Sequence, residues 1–500
     1  MANASLTPPL VPMRLSHLNS APLRSDGRFV LYWMMGARRT RDNAALAYAA
    51  DQARQARVPL VVLEPLFANY RWASDRFHRF VLDGMADQAA AIAPTTTRYY
   101  PYVEQTTGAG AGLLQALAAE ARLVVTDRTP VPLAARYITD EAPQLGVRLD
   151  AVDTWGLLPL HATTQVFTTA HAFRRFLQQH LAPHLPFAQQ MAALDIATVL
   201  NVPPVTPEVE AHLARVQQRW PVAEAELLAG RRALTDLPIN HAIAPAPFRG
   251  GATAATETLQ RFLWHGLPRY GEERSDPDAN AASGLSPYLH FGHIGPGEVF
   301  TEVMARAGWD GTVTGLRNGA RAGWWNVEPN TESFLDEFVT WREVGANMAV
   351  HRPDFDTYQS LPPWALRTLT EHAADARPIT YDFDAFDQAR THDALWNAAQ
   401  RELVEEGRMQ NYLRMLWGKK ILEWTRTSEE ALAVMIELNN RYAVDGRDPS
   451  SYSGIFWVLG RYDRAWGPER PIYGTLRYMT SDSTRRKLSL TRYLARYGTR

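Results

Sequence analysis

Over the first third of the chain, short apolar runs alternate with longer amphipathic stretches. RFVLYWMM (28–35), PLVVLEPL (59–66), RYYPYVE (98–104), RLVVTDR (122–128) and VRLDAVDT (147–154) are rich in β-branched and aromatic residues and predict strands. Stretches such as RDNAALAYAADQARQA and SDRFHRFVLDGMADQAAAI lie between them and predict helices. Strand–helix alternation of this kind predicts a doubly wound parallel sheet covered on both faces, with ligands at the carboxyl ends of its strands. Proline then recurs from about 156 to 250 (HLAPHLPF, NVPPVTPEV, LPINHAIAPAPF), as in a connection that crosses a surface rather than building a core. From Gly250 onward the spacing is helical. The expected organisation is a flexible arm (1–27), an α/β domain (28–160), an interdomain linker (161–249) and an all-α domain (250–500).

Composition narrows the chemistry. Of 500 residues 46% are hydrophobic, enough for large cores. There is no cysteine, which excludes disulfides, thiolate metal sites and Cys nucleophiles. No run of about 20 apolar residues suggests a membrane span. MANASLTPPLVPMRL lacks the basic-then-apolar pattern of a secretion signal and reads as a frayed arm, so a cytoplasmic protein is expected. Net charge is −1, yet residues 461–500 hold ten Lys/Arg against three Asp/Glu, a net of +7 that suits a phosphate-facing patch. GAGAG (108–112) imitates a dinucleotide turn without the full motif. Histidines 161, 171, 180, 184 and 212 invite a metal reading, but Pro183 splits the one i, i+4 pair, so no metal site is expected.

The distinctive chemistry lies between Thr391 and Trp457. Trp417 and Trp424 are two turns apart on one helical face, Trp396 belongs to the preceding helix, and Arg414 sits one turn before Trp417. Asn439 and Asp445 follow from the next helix end and loop. Indoles in a row beside Arg, Asn and Asp suit a flat redox cofactor better than simple packing. Earlier, Tyr270 precedes ASGLSPYLHFG, where Ser283, Gly284 and Ser286 before Pro287 describe a helix start with free amides, an anion site suited to a pyrophosphate. Glu343 follows Arg342 in TESFLDEFVTWREVGANM, a helical segment.

These segments (THDALWNAAQ, NYLRMLWGKKILEWT, DGRDPSSYSGIFW, SGLSPYLHFG and DRAWGPERPIYGTLRYM) closely resemble the photolyase/cryptochrome flavoproteins, and most specifically the class II cyclobutane pyrimidine dimer photolyases. The resemblance covers nearly the whole chain. It implies non-covalent FAD in a U-shape in the helical domain, and an antenna chromophore, a deazaflavin or a folate, in the α/β domain. It implies light-driven electron transfer from reduced FAD to a dimer flipped out of DNA. The partner is then damaged DNA containing pyrimidine dimers, with no membrane and a monomeric protein. By the same resemblance Tyr270, Ser283, Gly284, Leu285, Ser286, Arg414, Asn439, Asp445, Gly446 and Arg447 hold the flavin. Asn439 bonds its N5, and Arg414 with Asp445 forms the ion pair beside its ring. Trp417 stands nearest the flavin, with Trp396 and Trp424 carrying the hole outward to solvent. Glu343 donates from a protonated carboxyl to the dimer carbonyls. Asn411 and Met415 line the lesion pocket, Trp457 stacks on the flipped bases, Arg464 and Trp466 fill the gap in the duplex, and Arg477 touches phosphate. Asn440 and Leu416 depart from the family pattern, which has Asp and Tyr there. A cryptochrome-like photoreceptor and a flavin oxidoreductase are the competing readings. Glu343, Met415, Trp457 and the Arg464/Trp466 hairpin favour repair, as does a chain that stops soon after RYM.

Overall fold

The computed structural model describes Pro8 and residues 12–498. The chain divides into two compact units, with residues 1–163, 181–259 and 285–305 in the first and 164–180, 260–284 and 306–500 in the second.

The first unit is built on a six-stranded sheet: β1 (Leu15–His17), β2 (Phe29–Trp33), β3 (Leu60–Leu66), β4 (Arg98–Val103), β5 (Ala121–Arg128) and β6 (Leu149–Asp153). Its order is β1-β6-β5-β2-β3-β4, and every pairing is parallel except β1 with β6. The five expected strands are all present. Their side chains alternate between two buried layers, because successive Cβ atoms point to opposite faces. Phe29, Leu31 and Trp33 enter one core, while Val30 and Tyr32 enter another with the alanine-rich face of α1 (Ala44–Ala56). A third cluster forms where α2 (Asp75–Ile92) contributes Val81, Leu82 and Met85.

Two expectations change here. The start of the chain was expected as a flexible arm. Residues 1–7 and 9–11 lie outside the described residues, but β1 pairs with the edge of β6. Arg14 there is buried and gives its guanidinium to the carbonyls of Asp153, Gly156 and Leu157. An open sheet edge and a five-donor side chain order a segment that has no periodicity of its own. The proline-rich stretch was expected to cross a surface. Instead α3 (Pro207–Arg219) buries Val209, Leu213 and Val216 in the first core, followed by Trp220. Thr206 caps α3 and Pro207 opens it, so this proline starts an element rather than breaking one.

The amides at the strand ends are already occupied. Asp127 accepts from the backbone N–H of Met35, Gly36 and Ala37, and Glu104 accepts from Ala68 and from Gly110 of the GAGAG turn. No helix among the described residues is long and apolar enough to cross a membrane, and no group of three or more metal-ligating side chains occurs among them.

The second unit is helical. Its central elements are α4 (Arg342–His351), α5 (Ala394–Glu406), α6 (Asn411–Trp424), α7 (Ser428–Tyr442), α8 (Pro449–Val458) and α9 (Thr491–Tyr497). α4 and α8 pack so closely that a Cβ on Gly345 would lie 3.0 Å from the Pro449 carbonyl oxygen. The C-terminal α9 is tied to α5 through Tyr493 to Glu402 and Tyr497 to Glu406.

Candidate functional site

Local caps place the tryptophans. Asp393 accepts from the backbone N–H of Leu395 and Trp396 to start α5, and Gln410 accepts from Leu413 to start α6. These two helices are antiparallel neighbours across a short turn, and their facing side chains join. The Trp396 indole N–H donates to the Trp417 carbonyl at 3.0 Å, and the Trp417 indole N–H donates to the buried Gln400 side chain at 2.9 Å. The rings of Trp396 and Trp424 lie 5.9 Å apart at 67°. Such edge-to-face pairing holds indoles in fixed contact.

The aromatic row continues past Trp424, which is only 3% exposed. Beyond it stand Tyr381, 5.7 Å from Trp424, and the exposed His392, 5.0 Å away. The Tyr381 hydroxyl and the His392 ring nitrogen are hydrogen-bonded at 2.7 Å. Neither residue was singled out from sequence. Tyr381 lies 43 positions before Trp424, where no periodicity could reveal the contact.

A polar cluster sits at the end of α7. Asn439 donates its amide nitrogen to the Gly446 carbonyl (2.8 Å) and the Ser451 hydroxyl (2.9 Å). A carbonyl can only accept, so this network fixes the amide orientation. The remaining Asn439 oxygen has no donor among the described residues and is an acceptor suited to a protonated ring nitrogen. Asn440 is fully buried and donates to the Tyr452 hydroxyl, which accounts for an amide there without an added buried charge. Gly446 admits no side chain, because a Cβ would come 2.5 Å from the Asn439 carbonyl. Arg447 is buried and reaches the Asn440 carbonyl at 3.5 Å.

Asp445 carries the main signal of a missing partner. One of its carboxylate oxygens is buried without a hydrogen bond, and Arg414 approaches it only to 3.9 Å. Buried carboxylate oxygens almost always have donors, so this one suits a ligand N–H or O–H. Tyr270 is buried between Phe262 and Phe334, with Arg274 over its ring. Burial raises its phenol pKa, helped by Glu337, so it stays protonated. Ser283 and Gly284 (φ 69°) share the second unit with Tyr270, whereas Leu285 and Ser286 fall in the first. The helix there, Ser286–His290, spans five residues and has no side-chain cap.

On the other side of α6 cations and indoles alternate. Lys419 Nζ lies 5.4 Å from the Trp457 ring centre and Arg477 5.5 Å from it. Arg477 also lies 4.0 Å from the Trp466 ring, with Arg464 at 4.6 Å from the same ring. Asp463 fixes this ladder: it accepts from Arg477 Nε (3.0 Å), the Trp466 indole N–H (3.1 Å) and the Arg464 backbone N–H (2.9 Å). Met415 is half-buried and Asn411 exposed at the start of α6. Glu343, 5% exposed, lies in the first turn of α4.

The basic C-terminal stretch is not one patch. Arg461 is 2% exposed, lies 3.8 Å over the Phe456 ring and donates to the Phe355 carbonyl. Burial lowers its pKa to about 10, and it belongs to the core. Arg496 pairs with Glu406, and Arg492 bonds the Asp278 carbonyl. Arg485, Arg486 and Lys487 are exposed together, with Lys487 4.4 Å from the Tyr412 ring, next to Asn411. Arg500 lies outside the described residues.

The DNA photolyase family model matches residues 30–195. The deoxyribodipyrimidine photo-lyase of Methanothermobacter thermautotrophicus is 31% identical over 97% of this chain and 97% of its own length. The protein of that name from Oryza sativa is 33% identical over 93% of this chain and 87% of its own. Among solved structures, a Synechocystis cryptochrome superposes with a TM-score of 0.63 at 16% identity, covering 96% of this chain and 89% of that one. A class III photolyase from Agrobacterium tumefaciens gives 0.57 at 18% identity, covering 87% and 80%. These two show the shared fold, and the archaeal and rice relatives carry the assignment along nearly the full length. The chain belongs to the photolyase/cryptochrome family.

Proposed function

We propose that this protein repairs cyclobutane pyrimidine dimers in DNA under light, with FAD as its cofactor, in the manner of class II photolyases. The observation that carries the reading is the double role of α6. One face of that helix joins a buried aromatic row running to the surface at Tyr381, and another lies under the cation–indole ladder at Trp457. FAD, when bound, supplies the photoexcited electron that opens the cyclobutane ring.

The residues that would hold FAD fit it. Asp445 offers an unsatisfied buried carboxylate oxygen, Asn439 a fixed amide oxygen, and Arg414 a positive charge that favours an anionic reduced ring. Tyr270, Ser283, Gly284, Gly446 and Arg447 complete the set proposed within the second unit, with Leu285 and Ser286 following directly in the chain. Trp417, Trp396 and Trp424 pass a hole away from the flavin ring, and Tyr381 extends their path. Trp457, Trp466, Arg464 and Arg477 receive the opened duplex, where base stacking contributes about 1–3 kcal/mol per base. Met415 and Asn411 border the lesion, and Glu343 donates to its carbonyls. An antenna deazaflavin or folate forms no part of this reading.

The test is a light-minus-dark assay on an oligonucleotide carrying one thymine dimer. Light-dependent restoration of intact thymines is expected. A flavin-loaded protein that photoreduces but restores none belongs with the photoreceptors instead.

A further inference from the structure

Lys419 follows Trp417 by two residues on α6 and turns inward. It is 1% exposed, and its Nζ donates to the Val458 carbonyl at 2.6 Å while lying against the Trp457 ring. Val458 ends α8, so its carbonyl is one of the helix's unsatisfied acceptors, where positive charge is favoured. The neighbouring Lys420 is paired with Glu423 at 2.7 Å. Lys419 has no carboxylate in contact among the described residues. A buried ammonium held only by a carbonyl and a ring face is costly and tends to neutralise.

The surroundings of Lys419 decide how it titrates. The loop after α8 presents Asp463, which favours the ammonium, and Arg477, which opposes it. The same loop presents Tyr473, whose hydroxyl donates to the Lys419 backbone carbonyl (2.9 Å) and to Glu423 (3.0 Å). Burial pushes that phenol well above its usual range. α8 carries no charged residue. α7 meets this turn of α6 through Met435, and α5 meets it through Gln400, both uncharged. Burial outweighs the rest and brings the Lys419 pKa down to about 7.

We propose that Lys419 is a positioning residue for damaged DNA, its ammonium fixing the inner side of Trp457 and the end of α8 so that one proton sets the surface offered to extruded bases. This rests on the repair reading above. DNA phosphates near Trp457 favour the charged form, so binding of a damaged duplex above neutral pH takes up a proton. Preference for damaged over intact duplex is greatest below pH 7 and declines as pH rises. An upward shift of one unit in this titration on binding gives a roughly tenfold decline in that preference.

The experiment measures dark binding of flavin-loaded protein to a thymine-dimer duplex and a matched intact duplex, at constant ionic strength from roughly pH 6 to 9. The parent ratio should fall about tenfold, most of it between about pH 7 and 8, while Lys419→Met stays flat at the lower value. A flat parent ratio, or the same profile in Lys419→Met, overturns the proposal and leaves the repair reading standing. A parent with no preference at any pH overturns both. Calorimetry of the parent in buffers of different ionisation enthalpy needs no variant. Binding the damaged duplex at pH 8 should take up more protons than binding the intact one, and equal uptake would also refute the role.

Discussion

Replacing Trp417 by Phe separates electron relay from packing. The indole N–H that Trp417 gives to Gln400 disappears, and Gln400 is fully buried. An orphaned buried acceptor costs about 1–3 kcal/mol. The smaller ring leaves space on the order of 40 Å³, about 1 kcal/mol at ~24 cal/mol per Å³. The sum, roughly 2–4 kcal/mol, lies below the 5–15 kcal/mol typical of a folded domain, so the variant should fold. The bond from Trp396 to residue 417 goes to a backbone carbonyl and survives. Light-driven reduction of the bound oxidised flavin should slow by at least about tenfold, equivalent to ~1.4 kcal/mol of barrier. Repair by chemically pre-reduced protein should largely persist. Gln400→Leu is the control, since it orphans the indole N–H at a similar stability cost but keeps the indole. It should photoreduce as the parent does. Normal photoreduction in Trp417→Phe, or equal loss in both variants, would refute the relay role.

Heat-released chromophore should prove to be FAD by mass, and Asp445→Ala should retain it about tenfold more weakly, the equivalent of ~1.4 kcal/mol; FMN, or retention unchanged by the substitution, contradicts the pocket assignment. Trp466→Ala should weaken binding to damaged duplex more than to intact duplex, whereas Arg485→Ala should weaken both alike and reduce the salt slope by about one unit. Equal loss on both duplexes in Trp466→Ala argues against gap filling. Glu343→Ala should lower repair yield per absorbed photon at saturating substrate by more than it lowers affinity, with FAD content unchanged. An unchanged yield removes Glu343 from the catalytic set.

The five parallel strands were legible because each is a compact apolar run bounded by turn residues. β1 was not, because LSH carries no pattern and takes its order from the open edge of β6. Val209, Leu213 and Val216 in α3 do follow helical spacing, but the surrounding prolines drew attention to breaks. The tryptophan row was legible from a seven-residue spacing and a long motif. Tyr381 was hidden because its contact with Trp424 is purely tertiary. Nothing in the sequence marks Lys419 and Lys420 as buried, yet they are 1% and 8% exposed, and only the packing shows that Lys420 meets Glu423 while Lys419 meets the end of α8. Arg461 was counted with a basic patch for the same reason: charge is visible in sequence, burial is not.

Under the proposed function, the environments of the indoles would let one helix serve both ends of the chemistry. Trp417 and Trp396 are held by a side-chain amide, a carbonyl and Phe386, all uncharged. Lys420 stands 5.5 Å from the Trp424 ring, but Glu423 offsets its charge. Lys419 stands at a similar distance from Trp457 without such a partner in contact. A full charge about 5 Å from a developing positive ring opposes it by about 3 kcal/mol at an effective dielectric of ~20. Removing an electron from Trp457 is therefore disfavoured relative to Trp417 whenever Lys419 is protonated. In the proposed repair reaction the hole is then kept to the row that leads toward Tyr381, and Trp457 is left to stack on bases rather than to react.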